Sequence, residues 1–168
     1  MTTVDLRCRC GSVLGSMDFS RPSLVRVVCH CDDCAAYARH IGSDQATQIV
    51  QATPDQVKIA VGTEYLRCLR LTDRGLTRWY AGCCMTPLAN TSRCAWMPFV
   101  GVMRCVLDSE NEALLGPARH VNGAHPTPWG TLLRSASSLL LGFLLRRYRP
   151  NAFFAENGEP VARPERLR

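Results

Sequence analysis

Glu64-Tyr65-Leu66-Arg67-Cys68-Leu69-Arg70-Leu71-Thr72-Asp73-Arg74-Gly75-Leu76-Thr77-Arg78-Trp79-Tyr80 is the stretch that decides the fold. Polar and apolar residues alternate from Glu64 to Leu71, the period of a strand with one buried face. Thr72-Asp73-Arg74-Gly75 supplies turn residues and Leu76 to Tyr80 resumes the alternation, so the whole reads as a β-hairpin. Similar runs lie on both sides. Val13-Leu14 meets Gly15-Ser16, Leu24 to Val28 is a β-branched run ending at Cys29, and Gln56 to Val61 alternates up to Gly62-Thr63. Trp96 to Val106 reads as another strand, bulged at Pro98 and Gly101. Val4 to about Leu107 therefore predicts a mainly β, antiparallel core.

The pattern changes after Asp108. Thr127 reads as an N-cap and Pro128 as the first residue of a C-terminal helix over about 127–148. Trp129, Leu132, Leu133, Ala136, Leu140, Phe143 and Leu144 recur at helical spacing, as expected of a stripe packed on the sheet, and Arg146 and Arg147 suit the negative end of the helix dipole. The segment 150–168, with three prolines, reads as an extended, partly mobile tail.

At 168 residues the chain suits a single domain, 1–168, on a prior of roughly 100–200 residues per domain. Hydrophobic residues at 46% and charged residues at 20% exclude disordered, collagen-like and coiled-coil classes. Twenty cations, nineteen of them Arg, against fourteen acids give +6, but no stripe of interleaved Arg and aromatics marks a nucleic-acid face. The longest apolar run, Leu139 to Leu145, is far short of the roughly 20 residues of a membrane span. The first ten residues lack the apolar stretch of a secretory signal, which predicts a cytoplasmic protein with reduced thiols.

The ten cysteines then point to metal. Cys8 and Cys10, followed by Gly11, form one half-site, and Cys83 and Cys84 form another. Joined, they make a four-thiolate centre tying the first strand to the middle of the sheet, the arrangement of a structural zinc. Cys29, Cys31 and Cys34 are three thiolates within six residues and have no evident fourth partner. Three protein ligands and an open position are what a catalytic metal needs, so two Zn2+ sites are expected, one structural and one able to act in catalysis. His30 lies between two of these ligands, where its ring has difficulty facing the same ion. A redox CxxC would need a βαβ context that this β-rich region lacks. Cys68, Cys94 and Cys105 read as single buried strand residues, with Cys68 or Cys94 as reserve ligands.

The order Cys8-x-Cys10-Gly11, Cys29-x-Cys31-x-x-Cys34, then an aromatic, Cys84 and Thr86-Pro87-Leu88 resembles the glutathione-dependent formaldehyde-activating enzyme and centromere protein V family over roughly residues 5–107. The resemblance implies an Mss4-like β fold with zinc knuckles. It also implies a three-cysteine zinc at which the sulfur of a small thiol such as glutathione meets formaldehyde, as in a carbon-sulfur lyase forming S-hydroxymethylglutathione. Placing Thr86-Pro87 in the family's Cys-x-x-Cys-Gly-Thr-Pro register puts Ala81 at the first cysteine, Cys84 at the second and Met85 at the glycine. Cys83 is the substitute ligand, although neighbouring side chains in extended backbone point apart. Arg39, Arg78, His30 and His40 are candidates to stabilise a developing oxyanion. The other class open to such a sequence is a non-catalytic zinc scaffold or interaction module.

Overall fold

A computed structural model describes residues 2–20, 25–43, 47–108 and 112–167. Leu24, first residue of the run expected to lead into Cys29, lies outside them. Among the described residues the chain is mainly β and forms two sheets. Strands β1 (Thr3–Arg7), β2 (Leu14–Asp18) and β5 (Val57–Val61) make a small antiparallel sheet in that order. The larger sheet has the order β10-β3-β4-β9-β8-β7-β6-β11. Its members are β3 (Val25–Cys29), β4 (Thr47–Ala52), β6 (Leu66–Arg70), β7 (Thr77–Ala81), β8 (Thr86–Thr91), β9 (Val100–Met103), β10 (Arg119–Val121) and β11 (Glu165–Arg166). Its interior pairs are antiparallel, and the short edge strands β10 and β11 run parallel to β3 and β6. Three helices accompany the sheets: α1 (Asp32–His40), α2 (Glu112–Leu115) and α3 (Trp129–Leu144).

The hairpin β6–β7 pairs Leu66 with Ala81 and Cys68 with Trp79. The Trp79 indole is enclosed, and its Nε1–H donates to Thr91 Oγ1 at 2.9 Å, which satisfies the one polar atom that burial would otherwise strand. Val50, Leu88, Val100 and Val102 from neighbouring strands complete the same core.

Three expectations are corrected. The strand foreseen from Trp96 to Val106 is confined to Val100–Met103, because Pro98 lacks an N–H for a ladder; Met97 and Phe99 close turns instead, and Arg104–Val106 form a 3-10 turn.

Helix α3 starts one residue later than foreseen, with Pro128 as its N-cap. More consequentially, it faces the protein with Thr131, Ser138 and Gly142, while Leu132, Leu133, Leu140, Phe143 and Leu144 are exposed and Trp129 is 80% exposed. The reason is close approach: a Cβ on Gly142 would lie 2.8 Å from Pro98 Cβ and 3.1 Å from Thr53 Cγ2, so only the small-residue side can be seated.

The segment after Pro150 is not a loose tail. Phe153 is 1% exposed, with its ring centre 5.1 Å from that of Trp79, and Cys68 Sγ contacts the Ala162 carbonyl at 3.3 Å. β11 then covers the free edge of β6, and Arg166 pairs with Asp73 in the hairpin turn. An edge strand left bare is a template for unwanted pairing, which this segment removes.

Candidate metal centres

The first cysteine cluster joins the two sheets. After β1 the chain turns at Gly11, whose φ of +80° is easy only for glycine, and Gly11 N–H donates to the Cys8 carbonyl at 3.0 Å. Val13 N–H donates to Cys8 Sγ at 3.2 Å, so backbone holds the sulfur in place. On the other side, Cys83 and Cys84 occupy the turn between β7 and β8, where the Cys84 and Met85 amides both donate to the Ala81 carbonyl. Being in a turn rather than a strand, the two adjacent side chains converge. Met85 has φ +56°, so it adopts a glycine-like conformation at the position where the resemblance has glycine.

All four sulfurs lie within 4.8 Å of one another. Cys8–Cys10 is 3.5 Å, Cys8–Cys83 4.0 Å, Cys10–Cys83 3.3 Å and Cys83–Cys84 3.8 Å. A tetrahedron with metal–sulfur bonds of about 2.3 Å has edges of about 3.8 Å, so the set suits one ion. Arg9 clamps the two loops, its N–H donating to Thr86 Oγ1 at 3.1 Å and its guanidinium to the Cys84 carbonyl at 2.8 Å. Hydrogen bonds with the Ser12 side chain and backbone, then with Cys83, bring the Cys10 thiol down to about 6.

Cys29, Cys31 and Cys34 form the second cluster, also within 4.8 Å. Cys29 ends β3, Cys31 is the N-cap of α1, and Cys34 lies in the helix's first turn. Helix α1 was not foreseen, because Cys31-x-x-Cys34 reads equally as a turn. Its signal was nonetheless present in Asp32 and Asp33 at the start and Arg39 and His40 at the end, each favoured by the dipole. Cys29 Sγ and Cys31 Sγ are 3.4 Å apart, and both residues are half-buried while Cys34 is buried.

Positive character surrounds these sulfurs. The amide end of α1 faces them, and Arg78, only 2% exposed, donates from its NH1 to Cys34 Sγ at 3.6 Å. The Arg78 guanidinium also lies 5.3 Å from the Tyr37 ring centre, and its Nε has no hydrogen-bond partner among the described residues. A buried guanidinium is costly without a counter-charge, and the trio, where the Cys29 thiol is held down, is a place where one can form. Asn122 Nδ2 donates to Cys29 Sγ at 3.1 Å. A hydrogen bond from Cys34 holds the Cys29 thiol down at about 4, with burial opposing and Asn122 assisting. Cys34 is correspondingly pushed up, first by that same hydrogen bond and then by burial, against the pull of Arg78.

The remaining expected residues disperse. Arg78 touches the trio, and His30 sits beside it in the chain but points into a separate cluster with His120 and His125. Arg39 and His40 are exposed in the last turn of α1, about 8 Å along the axis from Cys34 at 1.5 Å per residue. Cys68 is buried in β6 and Cys94 stands apart from every cluster, so neither is a reserve ligand; Cys105 is exposed rather than buried. Asn122, His120 and His125 were missed by sequence reasoning, although Asn122-Gly123 is a turn signal that would have drawn the flanking residues together.

No curated protein matches the sequence. The fold is similar to the crystal structure of a Rhodobacter sphaeroides protein, with a TM-score of 0.53 and 20% identity over 70% of this chain and 99% of that one. With its residues 1–165 matched, the chain belongs to DUF6151, a family of unknown function.

Proposed function

We propose that this chain is a zinc protein of Mss4-like fold that joins a small thiol such as glutathione to a small aldehyde such as formaldehyde. Cys8, Cys10, Cys83 and Cys84 would hold a closed structural zinc, and Cys29, Cys31 and Cys34 a second zinc with an exchangeable position. The observation that carries the reading is the division of seven sulfurs into one group of four and one of three, each within 4.8 Å, the group of three set at a helix N-terminus beside a buried arginine. When bound at the trio, zinc supplies a Lewis acid that lowers the pKa of an incoming thiol.

The chain's own residues do the rest. Arg78, through Cys34, and the amide end of α1 would offset the negative charge of the trio, and Asn122 orients Cys29. In the addition the thiol sulfur forms a bond to the aldehyde carbon, the carbonyl π bond breaks, and the thiol proton ends on the oxygen, so no oxidant or reductant is required. The ten cysteines, all free, suit a reducing cytoplasm.

The test is glutathione binding by calorimetry, with S-hydroxymethylglutathione formation followed by NMR, in the wild type and in Cys31→Ser. Binding and adduct formation in the wild type, both lost in a folded Cys31→Ser, support the reading. Zinc at the trio without thiol binding would instead make the protein a scaffold.

A further inference from the structure

Three of the chain's four histidines gather on the side of residues 29–31 away from the cysteine trio. His30 Nε2 and His120 Nδ1 are 2.9 Å apart, and their rings stack with centres 5.1 Å apart. The His125 ring centre lies 4.7 Å from that of His30 and 5.3 Å from that of His120. One nitrogen from each falls within 4.8 Å of the others.

The arrangement is built by backbone. β10 pairs in parallel with β3, placing His120 opposite Val28, and His30 N–H donates to the Val121 carbonyl at 3.0 Å. Side chains alternate along a strand, so His30 continues the face of Val28 and His120, while Cys29 and Cys31 take the other. The chain then reverses at Asn122 and Gly123, whose φ values are +63° and +61°, and His125 N–H donates back to the Asn122 carbonyl at 3.1 Å. Gly123 permits the turn to lie on His30: a Cβ there would sit 3.1 Å from the His30 carbonyl oxygen and 3.2 Å from His30 Cβ. One turn thus sends Asn122 to Cys29 on one side and His125 to His30 on the other.

We propose that His30, His120 and His125 form a third metal site, separate from the two cysteine clusters, that takes a borderline divalent ion of the zinc, cobalt or nickel class. Three imidazole nitrogens without sulfur or carboxylate are the donor set such ions prefer; calcium and magnesium demand oxygen, and copper(I) favours sulfur. Metal–nitrogen bonds of about 2.0 Å in a tetrahedron set nitrogens about 3.3 Å apart, which the His30–His120 pair reaches by a small opening. His120 and His125 are exposed, so side-chain rotation can close the set, and solvent can fill the remaining coordination positions. The site stands independently of the thiol chemistry proposed for the trio.

Cobalt(II) is the probe, with bound metal counted by equilibrium dialysis and sulfur-to-cobalt charge-transfer absorption recorded for each sample. His120→Ala and His125→Ala should each bind one equivalent fewer than the wild type with an undiminished charge-transfer band. His40→Ala, which alters the remaining histidine, should match the wild type. Equal stoichiometry in all four proteins overturns the site. So does loss of the ion together with charge-transfer intensity, since the histidines would then belong to the thiolate centre. Failure of the trio to bind metal would lower the count equally in every protein and leave the one-equivalent difference to be read.

Discussion

Met85 shows how a single residue records the chemistry of its turn. Its φ of +56° lies in the left-handed region, where a side chain costs about 1 kcal/mol, yet the turn must bend there to bring Cys83 and Cys84 to Cys8 and Cys10. Replacing Met85 by Gly should therefore raise stability by about 1 kcal/mol with metal binding intact. The denaturant midpoint of the metal-loaded protein checks this, and a lower midpoint would mean that the Met85 side chain contributes packing that outweighs its strain. Gly11, on the opposite loop, was legible as a turn residue from its place after Cys10. The pairing of Cys83 with Cys84 was legible as composition but not as geometry, because adjacent side chains diverge in a strand and only the turn makes them converge.

Among the elements, strands were easier to read than helices. The hairpin was legible as strands β6 and β7, but the one-sided alternation was not kept: β6 follows it only in part and Thr77–Ala81 is buried on both faces. Helix α1 hid inside a cysteine motif, and the existence of α3 was legible although its orientation was not. Periodicity shows which residues share a face, but which face meets the protein depends on the partner surface. Here Pro98 and Thr53 come so close to Gly142 that the leucines cannot be turned inward. Gly142→Val should thus cost about 1–3 kcal/mol through overpacking, whereas Leu133→Gln should change stability by no more than about 0.5 kcal/mol. Thermal melts of the two variants decide between orientations, and a larger loss for Leu133→Gln would contradict this one. Phe153 and Phe154 were a missed signal of the same kind: two aromatics after a proline close over Trp79, a contact between residues 74 or more positions apart that no local pattern reveals.

Across the whole molecule the two cysteine clusters differ in what they hold. The group of four bridges the β1–β2 loop and the β7–β8 turn, hence the small and large sheets, whereas the group of three lies between the end of β3 and the start of α1. That division, four sulfurs in one group and three in the other, was readable by counting cysteines and their spacings. The Asn122 turn that reaches both the trio and the histidines was not, since its contact with Cys29 spans 93 positions. In the function proposed above, one centre is closed and the other accepts a thiol. This is tested most directly by cadmium-113 NMR of the cadmium-loaded protein before and after glutathione is added. Two resonances are expected in the sulfur-rich region, one unmoved by glutathione and absent in Cys8→Ser, the other shifted by glutathione and absent in Cys31→Ser. A single sulfur-rich resonance, or two that both ignore glutathione, would contradict it.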